Sequence, residues 1–214
     1  MRDAFYMTAA ADAQAGQRNW KADTFNLTPT GTIAFEADRG YTGNGVDGYL
    51  ATGFTPSTAG GNFALNACHL SFWSRTDAQN NTVSMGSRTA STTAQALIIP
   101  RTSLDAMSLR MNVDASPTNI AGSTNSSGGF VSRRSASNAA AMFRNGVSIG
   151  SHTVASTALP AAAIVIGAVN TGGVIGSFNN YQFASAGFGG GLTDAMILAE
   201  YNADLAYLQG VGAA

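Results

Sequence analysis

Ala140-Ala141-Met142-Phe143-Arg144-Asn145-Gly146-Val147-Ser148-Ile149 is the stretch on which the fold turns. Two short apolar runs meet at Asn145-Gly146, a dipeptide that tolerates two successive positive φ angles. A two-residue type I′ turn with that backbone matches the right-handed twist of paired strands, so residues 140–149 are predicted to form a tight β-hairpin.

The two-residue period continues outward in both directions. His69-Leu70-Ser71-Phe72-Trp73-Ser74-Arg75 places Leu70, Phe72 and Ser74 on one face and His69, Ser71 and Trp73 on the other. Met107, Leu109, Met111 and Val113 alternate with Ser108, Arg110 and Asn112, which predicts one apolar and one wet face. Further strands are predicted over 32–36, 49–54, 82–88, 96–99, 130–134, 163–168 and 181–187, between clusters of Gly, Asn, Ser and Pro. Ala163-Ile164-Val165-Ile166 has no polar alternation, which predicts burial on both sides. Roughly ten strands exceed what a lone open sheet usually holds, so two packed sheets are expected.

A helix is predicted at each end. In residues 1–16, Asp3 would cap an Ala-rich body over 3–15 and Gly16 would stop it. In residues 193–209, Thr193 is the N-cap, Asp194 sits at the positive end of the macrodipole, and Gly210 ends the helix. Ile197, Tyr201, Leu205 and Leu208 form one apolar stripe, expected to pack on the chain's own sheet, with a subunit contact as the alternative. Residues 1–214 read as a single all-β domain with these short flanking helices.

Charge is scarce. Only 11% of the 214 residues are charged and the net charge is -1, against about 25% charged in an ordinary soluble domain. With 45% hydrophobic residues, global disorder is excluded. The basic residues are scattered, which argues against a nucleic-acid surface. No apolar run approaches the roughly 20 residues of a membrane span. Met1–Tyr6 lacks the apolar core of a secretory signal, so synthesis in a cytoplasm is expected.

The shortage also bears on chemistry. Glycoside hydrolysis needs two carboxylates flanking the scissile bond, and the sequence offers only Glu36 with Asp38, beside a Gly-rich turn, and Glu200 with Asp204. The latter pair stands one helical turn apart, where both are expected to face water. Cys68 and His69 are adjacent and point to opposite strand faces, so they cannot form a dyad; Cys68 is expected as a small core hydrophobe. Gly43-Asn44-Gly45 and Gly189-Gly190-Gly191 precede no Lys-Ser/Thr pair and read as turns. No cofactor is expected. Asp38, Asn44 and Asp47 supply loop oxygens suited to calcium, and the same residue types commonly make Asx turns. Trp20, Tyr41, Trp73 and Tyr181 are candidate ligand or partner rings, with core packing as the alternative.

Several segments together resemble a known family. They are Asn19-Trp20-Lys21, Ala37-Asp38-Arg39-Gly40-Tyr41-Thr42-Gly43-Asn44-Gly45, Tyr49-Leu50-Ala51-Thr52-Gly53-Phe54, Phe143-Arg144-Asn145-Gly146 and the run from Phe183 to Asp194. The chain resembles phage- and prophage-encoded virion proteins carrying a concanavalin A-like (laminin-G-like) jelly roll. Met196-Ile197 stands where that family commonly has an acidic residue. The resemblance implies a two-sheet antiparallel jelly-roll sandwich with no catalytic constellation. It implies a non-enzymatic structural protein of a bacteriophage head (decoration) or tail or fibre, working by contact with other virion proteins as a homo-oligomer. The alternative is a lectin-like module that binds host-surface glycan for attachment.

Overall fold

The computed structural model describes residues 1–114, 116–117 and 119–214. In chain order the elements are β1 (Arg2–Met7), α1 (Ala13–Gln17), β2 (Thr28–Thr30), β3 (Ile33–Glu36), β4 (Gly40–Gly43), β5 (Tyr49–Ala51) and β6 (Cys68–Ser74). Next come β7 (Met85–Ala90), β8 (Thr93–Ile99), β9 (Ala106–Val113), β10 (Ile120–Ala121), β11 (Gly128–Ala136), β12 (Ala139–Arg144) and β13 (Val147–His152). The chain closes with β14 (Val165–Ile166), β15 (Val169–Thr171), β16 (Val174–Gly176), β17 (Gln182–Gly189) and α2 (Asp194–Gly210).

The strands form two sheets stacked as a jelly-roll sandwich. The eight-stranded sheet runs β13-β12-β11-β6-β17-β4-β3, with β1 also paired to β17. The nine-stranded sheet runs β10-β9-β8-β7-β14-β5-β2, with β15 and β16 attached beside β7. Pairing is antiparallel except between β15 and β7. The hairpin that anchors the sequence reading is β12–β13, and its Asn145 and Gly146 have φ of 51° and 78°. That left-handed pair is the backbone of a type I′ turn.

Alternation decides what lies between the sheets. Leu70, Phe72, Phe130, Phe183 and Phe188 point inward from one sheet, and Met85, Ala96, Ile98, Met107, Leu109 and Met111 from the other. Phe72 and Phe130 stack at 5.5 Å between ring centroids. Cys68 belongs to this core, and burial pushes its thiol up to about 12, as expected of a hydrophobe and not of a nucleophile.

The N-terminus corrects the sequence reading. Residues 2–7 are strand, and the only helix within 1–16 begins at Ala13, capped by Asp12 and not by Asp3. β1 lies between two apolar layers: Ala4 and Tyr6 join the inner core, while Phe5 and Met7 pack outward with Leu208. With both faces buried there is no polar alternation to mark a strand, and tertiary pairing overrides the helix propensity of alanine. The glycine triplet explains how β1 fits. A Cβ on Gly189 would lie 2.5 Å from the Met1 carbonyl oxygen, so only glycine permits the close approach. Asp3 accepts from the backbone N–H groups of Asn62 and Phe63 at 2.7 and 2.8 Å, tying a loop to the strand.

Candidate functional site

The two outer faces of the sandwich have different fates, and the difference locates the site. On the eight-stranded sheet, α2 closes the face. Thr193 caps it, its side chain accepting from the Met196 N–H at 3.2 Å, and Gly210 is its last residue. Leu208 packs with Phe5, Met7, Trp73 and Ala184, and Ile197 with Val131, Ala141, Phe143 and Leu192. Tyr201 stacks on Trp73 at 5.6 Å and an interplanar angle of 4°. The apolar stripe therefore meets the chain's own sheet.

Beneath α2 the carboxylates depart from expectation. Glu200 and Asp204 do not both face water: Asp204 is 9% exposed, and the Glu200 side chain is held at 2.8 Å by Arg2. Ser185 Oγ donates to Asp204 Oδ2 at 2.8 Å. Burial pushes the Asp204 carboxyl up to about 7, with the nearby Glu200 charge adding to the rise. His69 Nδ1 lies 2.6 Å from the Gly190 carbonyl oxygen, and burial pulls its pKa down. The space beside Asp204 and Glu200 is about 20 Å³, room for a water and not for a substrate.

On the nine-stranded sheet the outer face carries a groove of about 280 Å³. Strand register builds it. Leu97 of β8 stands opposite Arg110 of β9, Ile99 opposite Ser108, and Arg88 of β7 opposite Gln95. These are the side chains that alternate away from the core. Val83, Leu97, Ile99 and Val169 form a compact apolar floor, and Asn81, Thr102, Ser108, Asn119, Ser177 and the two arginines complete the lining. Among the described residues no carboxylate lines it.

The sequence marked part of this face. The outward side of β9 is not wet, since Ser108 is 1% exposed, but Ser108 and Arg110 stand on it, away from the core, as the alternation predicts. Asn112 does not: a register shift in the β8–β9 ladder leaves it as the extra residue, with φ of 57°. Its Nδ2 donates inward to the Leu65 carbonyl at 2.9 Å and lies 3.2 Å from Cys68 Sγ. Arg88, Leu97 and Ile99 were not legible as site residues, because only the pairing of separate strands gathers them.

The ring candidates are mostly core. Tyr41, Trp73 and Tyr181 are 2%, 7% and 0% exposed. Trp20 alone of the four is open, at 55%, and it sits edge-on between Phe5 and Tyr207 near the end of α2. The calcium trio is not gathered. Asp38 lies in the β3–β4 turn, whereas Asn44 and Asp47 share the loop beyond the far end of β4. There Asn44 Oδ1 accepts from the N–H groups of Val46, Asp47 and Gly48 at 2.9, 3.0 and 3.0 Å, and its Nδ2 donates to Asp47 Oδ1 at 2.7 Å. These oxygens are spent on an Asx turn. Glu36 accepts from Gln182 Nε2 at 3.0 Å.

No protein-family model and no curated sequence matches the chain. Solved structures do share its fold. Domain 4 of AbnA, an extracellular arabinanase of family GH43 from Geobacillus stearothermophilus solved with arabinotriose, aligns with a TM-score of 0.62 at 16% identity, over 92% of this chain and 97% of that one. The receptor-binding domain of botulinum neurotoxin D gives a TM-score of 0.61 at 11% identity, over 95% and 53%. A Trypanosoma rangeli sialidase mutant gives 0.58 at 13%, over 86% and 30%. At these identities the likeness establishes the β-sandwich fold.

Proposed function

We propose that the chain is a non-catalytic glycan-binding module working through the groove on the nine-stranded sheet. The observation that carries this reading is the recess itself, an apolar floor of Val83, Leu97, Ile99 and Val169 rimmed by amide, hydroxyl and guanidinium groups. Sugars present C–H faces and hydroxyl edges, and such a lining answers both. Support also comes from the similar sandwich domain that was solved with arabinotriose. A hydrolase would need a carboxylate pair across the groove, and none of its lining residues is acidic.

A glycan array tests the reading, run with the wild type and with Asn119→Trp, which fills the exposed rim of the groove. Binding that the tryptophan abolishes at unchanged melting temperature supports it, and an array without binding overturns it.

The setting we propose is the surface of a phage particle, where repeated copies beside other virion proteins would engage host glycan. The R-N-G hairpin and the Gly-rich run into α2 support it by their resemblance to virion jelly rolls. Mass spectrometry of purified particles checks it, and particles lacking the chain would overturn it.

A further inference from the structure

Two guanidinium groups share the groove, and among the described residues no carboxylate lines it or pairs with them. Arg110 Nη1 donates to Gln95 Oε1 at 2.8 Å, and its buried Nε has no hydrogen-bond partner. Arg88 donates through Nε to Thr171 Oγ1 at 2.8 Å and through Nη1 to the Ser91 carbonyl at 3.0 Å. The ion pairs among the described residues engage Arg2, Arg18, Arg101 and Arg133, and neither groove arginine. Arg134 shows the contrast. It is fully buried and also lacks an acid, yet it donates to four backbone carbonyls, of Met111, Ala136, Ser137 and Val154. Arg110 has no such set of acceptors.

The neighbourhood makes the deficit larger. Burial and the positive charge of Arg88 both hold the Arg110 guanidinium below its ordinary range. Ser108 is adjacent on the same face, 1% exposed, and its hydroxyl has no partner. Buried donors are nearly always satisfied in native proteins, so an unpaired hydroxyl and an unpaired guanidinium N–H in one recess point to an absent acceptor. An oxyanion answers both needs, since arginine forms short charge-assisted bonds to two oxygens at once.

We propose that the groove binds an acidic sugar, whose carboxylate or sulfate is held by Arg110 and Arg88 while its ring lies against Leu97 and Ile99. The inference rests on the glycan-binding reading above and names the class of glycan. At about 280 Å³ the recess suits a terminal sugar residue more than a long chain.

The test is calorimetric titration of the protein with glucuronate-terminated and sulfate-terminated oligosaccharides, with the glucuronate methyl ester and with a neutral glucose-terminated counterpart. The acid is expected to bind about tenfold or more tightly than its ester, and Arg110→Met to lose about as much. Arg88→Met is the second variant, informative if Arg110→Met does not fold. The glucuronate and sulfate arms decide which oxyanion is preferred. Ester and neutral sugar binding as well as the acid, or affinity unchanged in both folded variants, overturns the acidic class and leaves the glycan-binding module intact. No binding in any arm, together with an empty array, overturns both.

Discussion

The two outer faces of this sandwich are built from the same alternation and end in opposite states. The face over β6, β11 and β17 meets α2 and becomes a second core, with Trp73, Phe143, Ile197 and Leu208 sealed in it. The face over β7, β8 and β9 meets no helix and keeps a recess with two arginines. A buried carboxyl on the first face has Ser185 to donate to it, whereas the guanidinium of Arg110 on the second is left short of acceptors. The sealed face is held by apolar packing and serves stability, although His69 Nε2 and Arg133 Nε on its sheet also lack a hydrogen-bond partner. On the reading proposed above, the open face with its recess is the one that serves recognition.

The comparison breaks first at α2. Leu208→Asp places an unpaired charge where the side chain is fully buried against β1 and β6. A loss on the order of 4 kcal/mol or more is expected, measured by denaturant unfolding. Ile197→Ala, also fully buried, should cost about 2–4 kcal/mol by leaving a cavity over Val131 and Phe143. If either variant is as stable as the wild type, α2 does not close a core.

A pH series sharpens the same face. Asp204 has its carboxyl raised from 3.8 to about 7, so in that window the folded protein holds a proton that the unfolded chain has released. Stability from this group is fully present below pH 3.8 and falls as pH rises toward 7. Asp204→Asn should flatten that part of the profile and gain on the order of 1–3 kcal/mol at pH 8 relative to pH 4. An unchanged profile would mean that Asp204 is not the titrating group.

On the open face the expected stability effects are small. Arg110→Met removes a partly desolvated cation facing Arg88, so thermal unfolding should shift by less than about 1 kcal/mol, in the stabilising direction if at all. A large destabilisation would make Arg110 a structural residue. Smallest of all is the effect of calcium: adding it or chelating it should leave the melting temperature unchanged, because Asn44 already spends its oxygen on three backbone N–H groups. Asn44→Ala, by contrast, should cost about 1 kcal/mol through loss of those bonds.

Legibility in the sequence followed the number of layers touching each segment. β9 carries a period-two pattern and the β12–β13 hairpin a turn dipeptide, and both stand where these put them except at Asn112, which a bulge turns inward. α2 has its cap, stripe and stop within a single segment. β1 is different, since Ala4, Phe5, Tyr6 and Met7 are all buried between layers and read as a helix of alanines. The carboxylates of α2 were misread for a related reason: helical spacing gives the face, but Arg2 and Ser185, which hold Glu200 and Asp204, come from other strands.

Sequence alone determined the all-β class, the tight turn at Asn145-Gly146, the terminal helix and the poverty of catalytic groups, because period, turn chemistry and composition are local properties. Tertiary structure decided that the N-terminus is a strand, that Asp204 is buried and that Arg88, Leu97, Ser108 and Arg110 share one recess. Those facts depend on which strands pair and which face α2 covers, and the chain records such long-range choices only in the packing they produce.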